Sequence, residues 1–313
     1  VLQFVLRRFI QVIPILLGVT LVTFALVQIM PGSIADMLVP PSAPQSLKDE
    51  INRIYGLDRS LFEQYFLWLG QLLTGNLGVS LVSSRPVAGE LFAAMLNTLQ
   101  ITLFSALIGF GLGILFGAIS ALNAGRWPDR LFTFVSIAGV SVPHYWLAIL
   151  MVTIFSVQFN LLPAQGMGPA GFPTTWEQWR PMIMPIFTLS HIPMGVVGRL
   201  VRASVLEVLS QEFIQALGAK GLRSREVRLH VAKNAAPAVL AVMGLQFGYL
   251  LGGSILVETV FNWPGTGKLL NQAIFTNDMP IIQATVLVLS VMFVLVNLAV
   301  DVAQAAIDPR MRR

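Results

Sequence analysis

Six apolar runs, each near the length of a bilayer crossing, constrain this chain more than any other feature; they lie at about 9–30, 99–123, 131–159, 182–200, 238–258 and 281–301. A helix needs about 20 apolar residues to cross a hydrocarbon core of about 30 Å. Lipid offers no partner to open backbone groups, so such runs must be helical. Only 11% of the 313 residues are charged, against roughly 25% in soluble domains. The expectation is an all-α polytopic membrane protein with six transmembrane helices and both termini on one side. The chain has no cysteine, which excludes disulfides and cysteine-ligated metals. Arg7 and Arg8 precede the first run as they would in a signal peptide. No small-residue cleavage site follows before Met30, so this run reads as a retained span.

Charge orients the spans. The N-terminus, the 124–130 loop, the 199–237 loop and the C-terminal tail together carry 14 of the 20 basic residues and have a net charge of +8, leaving −3 for the opposite face. The positive-inside rule makes the basic face cytoplasmic and explains the sequence pI near 10.0 without nucleic acid. The implied organisation is 1–30, an N-terminal segment and first span; 31–98, an outer segment with short interfacial helices; 99–308, a five-helix core; and 309–313, a cytoplasmic tail. The core includes a cytoplasmic loop over 205–237.

That loop holds a polar island, Glu207 to Lys233, between two spans. Phe213, Ile214, Leu217 and Leu222 alternate there with Gln211, Glu212, Gln215 and Lys220. The pattern predicts a short helix ending near Gly218 or Gly221. A second helix is expected from about Ser224, capped by that serine, with Leu229 and Val231 buried. Two short helices across the membrane face would make a stiff knob for a soluble partner to grip. The alternative is an amphipathic surface helix drawn to anionic lipid by the region's net charge of +4.

The outer segment begins with LVPPSAPQS, a linker without regular structure. SLKDEINRIYG then reads as a helix stopping at Gly56, and Ser60 to Glu63 is a capping-box pattern opening a helix to Leu73. Tyr65 and Trp68 on that helix suit a membrane interface. Gly109, Gly113 and Gly117, and again Gly244, Gly248 and Gly252, form small-xxx-small stripes that admit a close neighbour, as ordinary packing or as a sliding surface. The outer loop after the fifth run contains a tight turn at Trp263, Pro264 and Gly265, with Gly267 expected to let the backbone bend again. GTGK within it is no phosphate-binding loop, because Leu269 follows Lys268.

Chemistry leaves few marks. There is no HExxH, GVSVP breaks the GxSxG elbow with a proline, and His144, His191 and His230 are scattered. His144 and His191 read as pore-lining or packing residues. An ion-coupled carrier usually holds titratable groups at mid-span. Here the span interiors offer His191 and uncharged groups such as Gln28, Asn97, Gln100, Gln246 and Asn297, while Glu258 and Asp301 sit near ends. The driving force is therefore expected from outside the chain.

The segments LRRF, GLDRSLFEQYFLWL, NLGVSLVSSRPV, RWPDR, GVSVPHYWLA, ALGAKGLRSREV, GLQFGYLLGGSILVETVFNWPGTGKLL and NLAVDVAQAAIDPRMRR cover nearly the whole length. In these the chain resembles the inner-membrane permease subunits of binding-protein-dependent ABC importers of the dipeptide/oligopeptide/nickel group. The cytoplasmic loop resembles their EAA-type motif, with Gly221 at the central glycine, Gln215-Ala216-Leu217 in place of Glu-Ala-Ala, and Val231 in place of isoleucine. Lys233-Asn234 replaces Leu-Pro, with a proline later at Pro237.

The resemblance implies an ATPase-coupling loop formed by Glu212, Phe213, Gln215, Ala216, Leu217, Gly218, Lys220, Gly221, Leu222 and Arg223. It implies a pathway or packing surface at His191, Gly244, Gln246, Gly248 and Gly252. Trp263, Pro264, Gly265 and Lys268 are expected to contact a periplasmic binding protein or gate the exit from it. The implied partners are a second homologous permease, two cytoplasmic ATPases, a periplasmic substrate-binding protein and membrane lipid, with no nucleic acid. This chain would bind no cofactor and hold no catalytic or metal-binding residue, ATP-Mg belonging to the ATPases. The implied location is a bacterial inner membrane and the implied cargo a peptide of the dipeptide, oligopeptide or glutathione type. The alternatives are a nickel or metal-chelate importer and, from another class, an ion-coupled secondary transporter.

Overall fold

The computed structural model describes residues 2–29, 44–54, 56 and 58–307. Most of the LVPPSAPQS linker and the 309–313 tail lie outside the described residues. The helices are α1 (Leu2–Ile29), α2 (Gln45–Ile54), α3 (Leu61–Leu73), α4 (Val87–Leu122), α5 (Trp127–Ser141), α6 (His144–Met151), α7 (Trp176–Trp179), α8 (Ile183–Leu209), α9 (Glu212–Ala219), α10 (Ser224–Val260), α11 (Thr266–Thr276) and α12 (Met279–Ile307). A π-helical stretch, Val152–Gln158, extends α6. An antiparallel bridge between Val79 and Pro86 pins the outer hairpin. The all-α expectation holds.

Helix α8 is the axis of the core. It packs most extensively on α4 and also contacts α10, α5 and α6. The glycine stripe of α4 explains the closeness of the first pair. A Cβ on Gly109, Gly113 or Gly117 would lie 2.7, 2.9 or 2.4 Å from the carbonyl oxygens of Ser190, Met194 and Gly198 on α8. Such separations leave room for hydrogen only, so the two backbones meet along the stripe. Gly195 repeats the device towards α5, where a Cβ would sit 2.4 Å from the Ser136 carbonyl.

The expected count of six spans is approximate. Among the described residues four helices are long and apolar enough to cross on their own: Leu6–Ile29, Val87–Leu122, Ser224–Val260 and Met279–Ala306. Helix α5 with α6 and its π extension makes a fifth if that bent pair is one span. The run at 182–200 forms most of α8, which is outside that set. Its Met184, Leu189 and Val197 are wholly enclosed, and His191, Ser190 and Ser204 are buried among neighbours. A helix sheathed by protein does not need an apolar surface all round. Pro143 does more than the expected kink. It ends α5 at Val142, and the chain restarts with a bend of 99°.

The outer segment follows its local signals. Ser60 Oγ accepts from the Glu63 N–H, and the Glu63 carboxylate accepts from the Ser60 N–H, the expected capping box. Gly75, at φ +79, closes α3 with bonds from the Gly75 and Asn76 amides to the Leu72 and Gln71 carbonyls. Tyr65 and Trp68 pack on Phe24 of α1, and the Tyr65 hydroxyl meets Thr20 at 2.9 Å. The helix therefore leans on the first span.

Candidate functional site

The polar island resolves into one short helix and the foot of a long one. Helix α9 ends in a Schellman closure: the Gly221 amide donates to the Gly218 carbonyl and the Leu222 amide to the Leu217 carbonyl. Gly221 has φ +78, a left-handed value that costs a side chain roughly 1–2 kcal/mol. Nothing lies within 4 Å of a Cβ placed there, so the glycine serves conformation rather than space. The expected second short helix is instead the start of α10, 37 residues long. At 1.5 Å per residue α10 spans about 55 Å, nearly twice a hydrocarbon core. Its first turns, carrying Arg225, Arg228 and Lys233, have length to spare outside the membrane. The cap also differs from expectation. Arg223 is the N-cap residue, and its amide donates to the Glu226 carboxylate at 2.8 Å. Val231 is buried as expected, but Leu229 is 57% exposed, being on the opposite side of α10 from the core.

One residue anchors the short helix. Ile214 is 8% exposed and enters an apolar cluster with Val205 and Val208 of α8 and Val231 and Ala235 of α10. Leu217, one turn on, is half-buried against the same cluster. Glu212, Phe213, Gln215, Ala216, Gly218, Lys220, Gly221 and Arg223 all face outward, and Leu222 is half-buried. The result is an exposed ridge with one aromatic and several small residues, anchored on α8 and α10.

A charged knot steadies the neighbouring loop. Arg202 of α8 grips Asp129 of α5 with two bonds, Nε to Oδ1 at 2.7 Å and an Nη to Oδ2 at 2.8 Å. Ser120 and the Gly125 amide also donate to Asp129. The paired fork geometry gives orientation as well as energy. It ties the loop containing RWPDR to α8, ten residues before Glu212 opens α9. Charge counting placed both residues on one face but did not pair them.

Inside the core the two membrane histidines come together. His144 and His191 stack edge to face with centroids 4.9 Å apart. His191 bridges the Thr188 carbonyl and the Val142 carbonyl, the latter at 2.9 Å, and His144 Nδ1 reaches Thr188 at 3.0 Å. The break at Pro143 leaves the Val142 carbonyl without a helical partner, and the Nε2-protonated tautomer of His191 would donate to it. His191 is buried and joins the broken helix to the axis. The stripe on α10 divides. Gly244 and Gly248 are pressed against Val300 and Phe293 of α12, whereas Gly252 has nothing within 4 Å and faces a cavity. Gln246 is half-buried, with its Oε1 enclosed and unpartnered.

The Glu258 end of α10 is a cage around that residue. The Thr98 hydroxyl donates to Oε1 at 2.7 Å, and the Gly267 and Lys268 amides donate to Oε2 at 2.7 and 3.0 Å. A carboxylate at the start of α11 also complements that helix's dipole. Trp263 is 0% exposed, and its indole donates to the Asn97 carbonyl at 3.0 Å while Asn97 Nδ2 donates to the Pro264 carbonyl. Of the four residues expected to meet an outer partner, Trp263 and Gly265 are therefore buried, Lys268 is half-buried and Pro264 is exposed. Gly267 provides no extra bend. It lies inside α11, where a Cβ would come 2.5 Å from the Ile255 Cα. The cage escaped sequence reading because its donors are backbone amides and a threonine 160 residues away. The available signal was an acid closing an apolar run just before Gly265-Thr266-Gly267.

Comparison with known proteins places this architecture. The family model described as the binding-protein-dependent transport system inner membrane component matches residues 113–313, and the model for the N-terminal part of such membrane components matches residues 1–105. The glutathione transport system permease protein of Escherichia coli K12 is 38% identical over 312 residues, 99% of each chain. The dipeptide transport system permease protein of Alkalihalophilus pseudofirmus is 37% identical over 332 residues, again 99% of each. Among solved structures, a chain of the inward-facing MetNI methionine ABC transporter superposes with a TM-score of 0.57 at 22% identity, covering 72% of this chain and 99% of that one, which shows the shared fold. The chain belongs to the inner-membrane components of binding-protein-dependent transport systems, the permease subunits of ABC importers.

Proposed function

We propose that this chain forms half of a translocation pathway for short peptides, driven through the ridge Glu212–Ala219 by ATPases on the cytoplasmic side. The peptide cargo is supported by the names of the two full-length relatives, a glutathione and a dipeptide permease. In this reading a second homologous permease completes the pathway, two ATPases clamp ATP-Mg, and a periplasmic binding protein delivers cargo to the outer end. Both termini are cytoplasmic. The chain itself binds no cofactor and catalyses nothing. Pro264 and Lys268 contact the binding protein, while Trp263 and Gly265 hold the turn that presents them.

The observation that carries the reading is the mounting of α9. A partner that grips exposed Phe213, Ala216 and Lys220 pulls on Ile214, and through it on α8 and α10. A nucleotide shifts such an equilibrium only by binding one arrangement better than the other, so the lever must transmit displacement. Gly221→Pro tests this. Proline is fixed near φ −65°, incompatible with +78°, and lacks the amide that bonds Gly218. In proteoliposomes the variant is expected to insert normally but to lose ATPase stimulation by liganded binding protein. Undiminished stimulation contradicts the proposal.

A further inference from the structure

Asp129 collects more donors than a steadied loop requires. Arg202 of α8 gives it two hydrogen bonds, Ser120 of α4 and the Gly125 amide one each, and Thr133 of α5 a longer one at 3.3 Å. A carboxylate offers about four acceptor sites, and this one is crowded. The residue is 5% exposed. A single side chain therefore joins the last turn of α4, the first turn of α5 and the part of α8 that leads to α9.

The rest of α5 is fastened to α8 as well. Gly195 of α8 seats the Ser136 carbonyl and Gly139 of α5 seats the His191 carbonyl, with only 2.4 and 2.9 Å left for a Cβ. At the far end of α5 the Val142 carbonyl lies 2.9 Å from His191 Nε2. These seats set the register, since a slip by one residue, about 1.5 Å, brings a carbonyl against a residue that has a Cβ. Past Pro143 the fastening changes. The chain turns by 99°, His144 Nδ1 reaches the Thr188 carbonyl, and the π-helical stretch Val152–Gln158 fully buries no residue. Helices α5 and α8 are thus held as one strut that ends at the break. Resting on the ATPase-driven reading above, we infer that Asp129 is a positioning residue for coupling: through Arg202 it makes α5 travel with α8, so that a pull on α9 arrives at the Pro143 break and α6 without being lost to slip.

The test uses the whole transporter in proteoliposomes, with its ATPases and liganded binding protein, and reads stimulated against basal ATP hydrolysis. Asp129→Asn keeps the shape but turns N–H groups towards Arg202. It is expected to leave basal hydrolysis unchanged and to cut stimulation by about fivefold or more, the low end of coupling factors between sites. Arg202→Gln is expected to do the same. The chain has no cysteine, so a covalent lock can stand in for the knot. Ser136 Oγ lies 3.0 Å from the place of a Cβ on Gly198, within reach of a disulfide between cysteines at the two positions. Oxidised Ser136→Cys/Gly198→Cys is expected to keep full stimulation in the otherwise unsubstituted chain and to restore it in Asp129→Asn, with reduction removing the rescue. Loss of stimulation on locking the unsubstituted chain, full stimulation in both Asp129→Asn and Arg202→Gln, or no rescue by the lock would each overturn the inference. Gly221→Pro run in parallel separates the two claims. Full stimulation there sinks the ATPase reading, whereas its loss there beside full stimulation in Asp129→Asn and Arg202→Gln sinks only the inference.

Discussion

The two ends of α10 are built on opposite principles. At its outer end Glu258 and Trp263 are fully enclosed, and each hydrogen-bonds to a segment of α4 distant in sequence. At its other end the eight residues of α9 bury a single side chain, Ile214, and a Cβ added at the closing Gly221 would meet nothing within 4 Å. The first arrangement over-determines its geometry. The second fixes a helix by one anchor and a backbone turn, leaving its surface free. In the proposed reading α9 is the lever, and a lever must be graspable where it is pushed and rigidly joined where it acts.

Mutations sharpen the contrast in descending order of effect. Trp263→Ala should destabilise most, by about 3–5 kcal/mol for a buried aromatic, seen as a lower thermal midpoint of the detergent-solubilised protein. Glu258→Ala should cost about 3 kcal/mol or more, since the Thr98 hydroxyl and two amides each lose an acceptor at about 1–3 kcal/mol apiece. Gly117→Ala should cost about 1–3 kcal/mol by overpacking against the Gly198 carbonyl. Gly218→Ala, with open space around it, should instead stabilise α9 by up to about 1 kcal/mol through helix propensity. Phe213→Ala, 37% exposed, should change stability by about 0.5 kcal/mol or less while weakening ATPase association in a pull-down. A large stability loss from Phe213→Ala, or none from Trp263→Ala, breaks the comparison.

What the sequence revealed follows from range. Local patterns succeeded: the box at Ser60, the stop at Gly75, the close at Gly221 and the α4 glycine stripe each depend on residues a few positions apart. Long-range chemistry was hidden. The bond from Thr98 to Glu258, the knot of Arg202 with Asp129 and the contact of His191 with Val142 join residues from 49 to 160 positions apart. Hydropathy marked the run at 182–200, but it could not show that α8 is enclosed by protein, with Met184, Leu189 and Val197 wholly buried. The second cytoplasmic helix begins at Ser224 as expected, but its continuation into the fifth span was not read, because Pro237 sits inside one unbroken helix. There its carbonyl accepts a bond from Gln304 of α12.

The central claim is that α9 is an exposed handle on the cytoplasmic side. With no native cysteine, Gln215→Cys creates a single reporter on the outward face of that helix. A membrane-impermeant maleimide should label it in inside-out vesicles, not in intact spheroplasts, and bound ATPase should slow the labelling. Labelling from the exterior of spheroplasts, or no protection by the ATPase, would contradict the account.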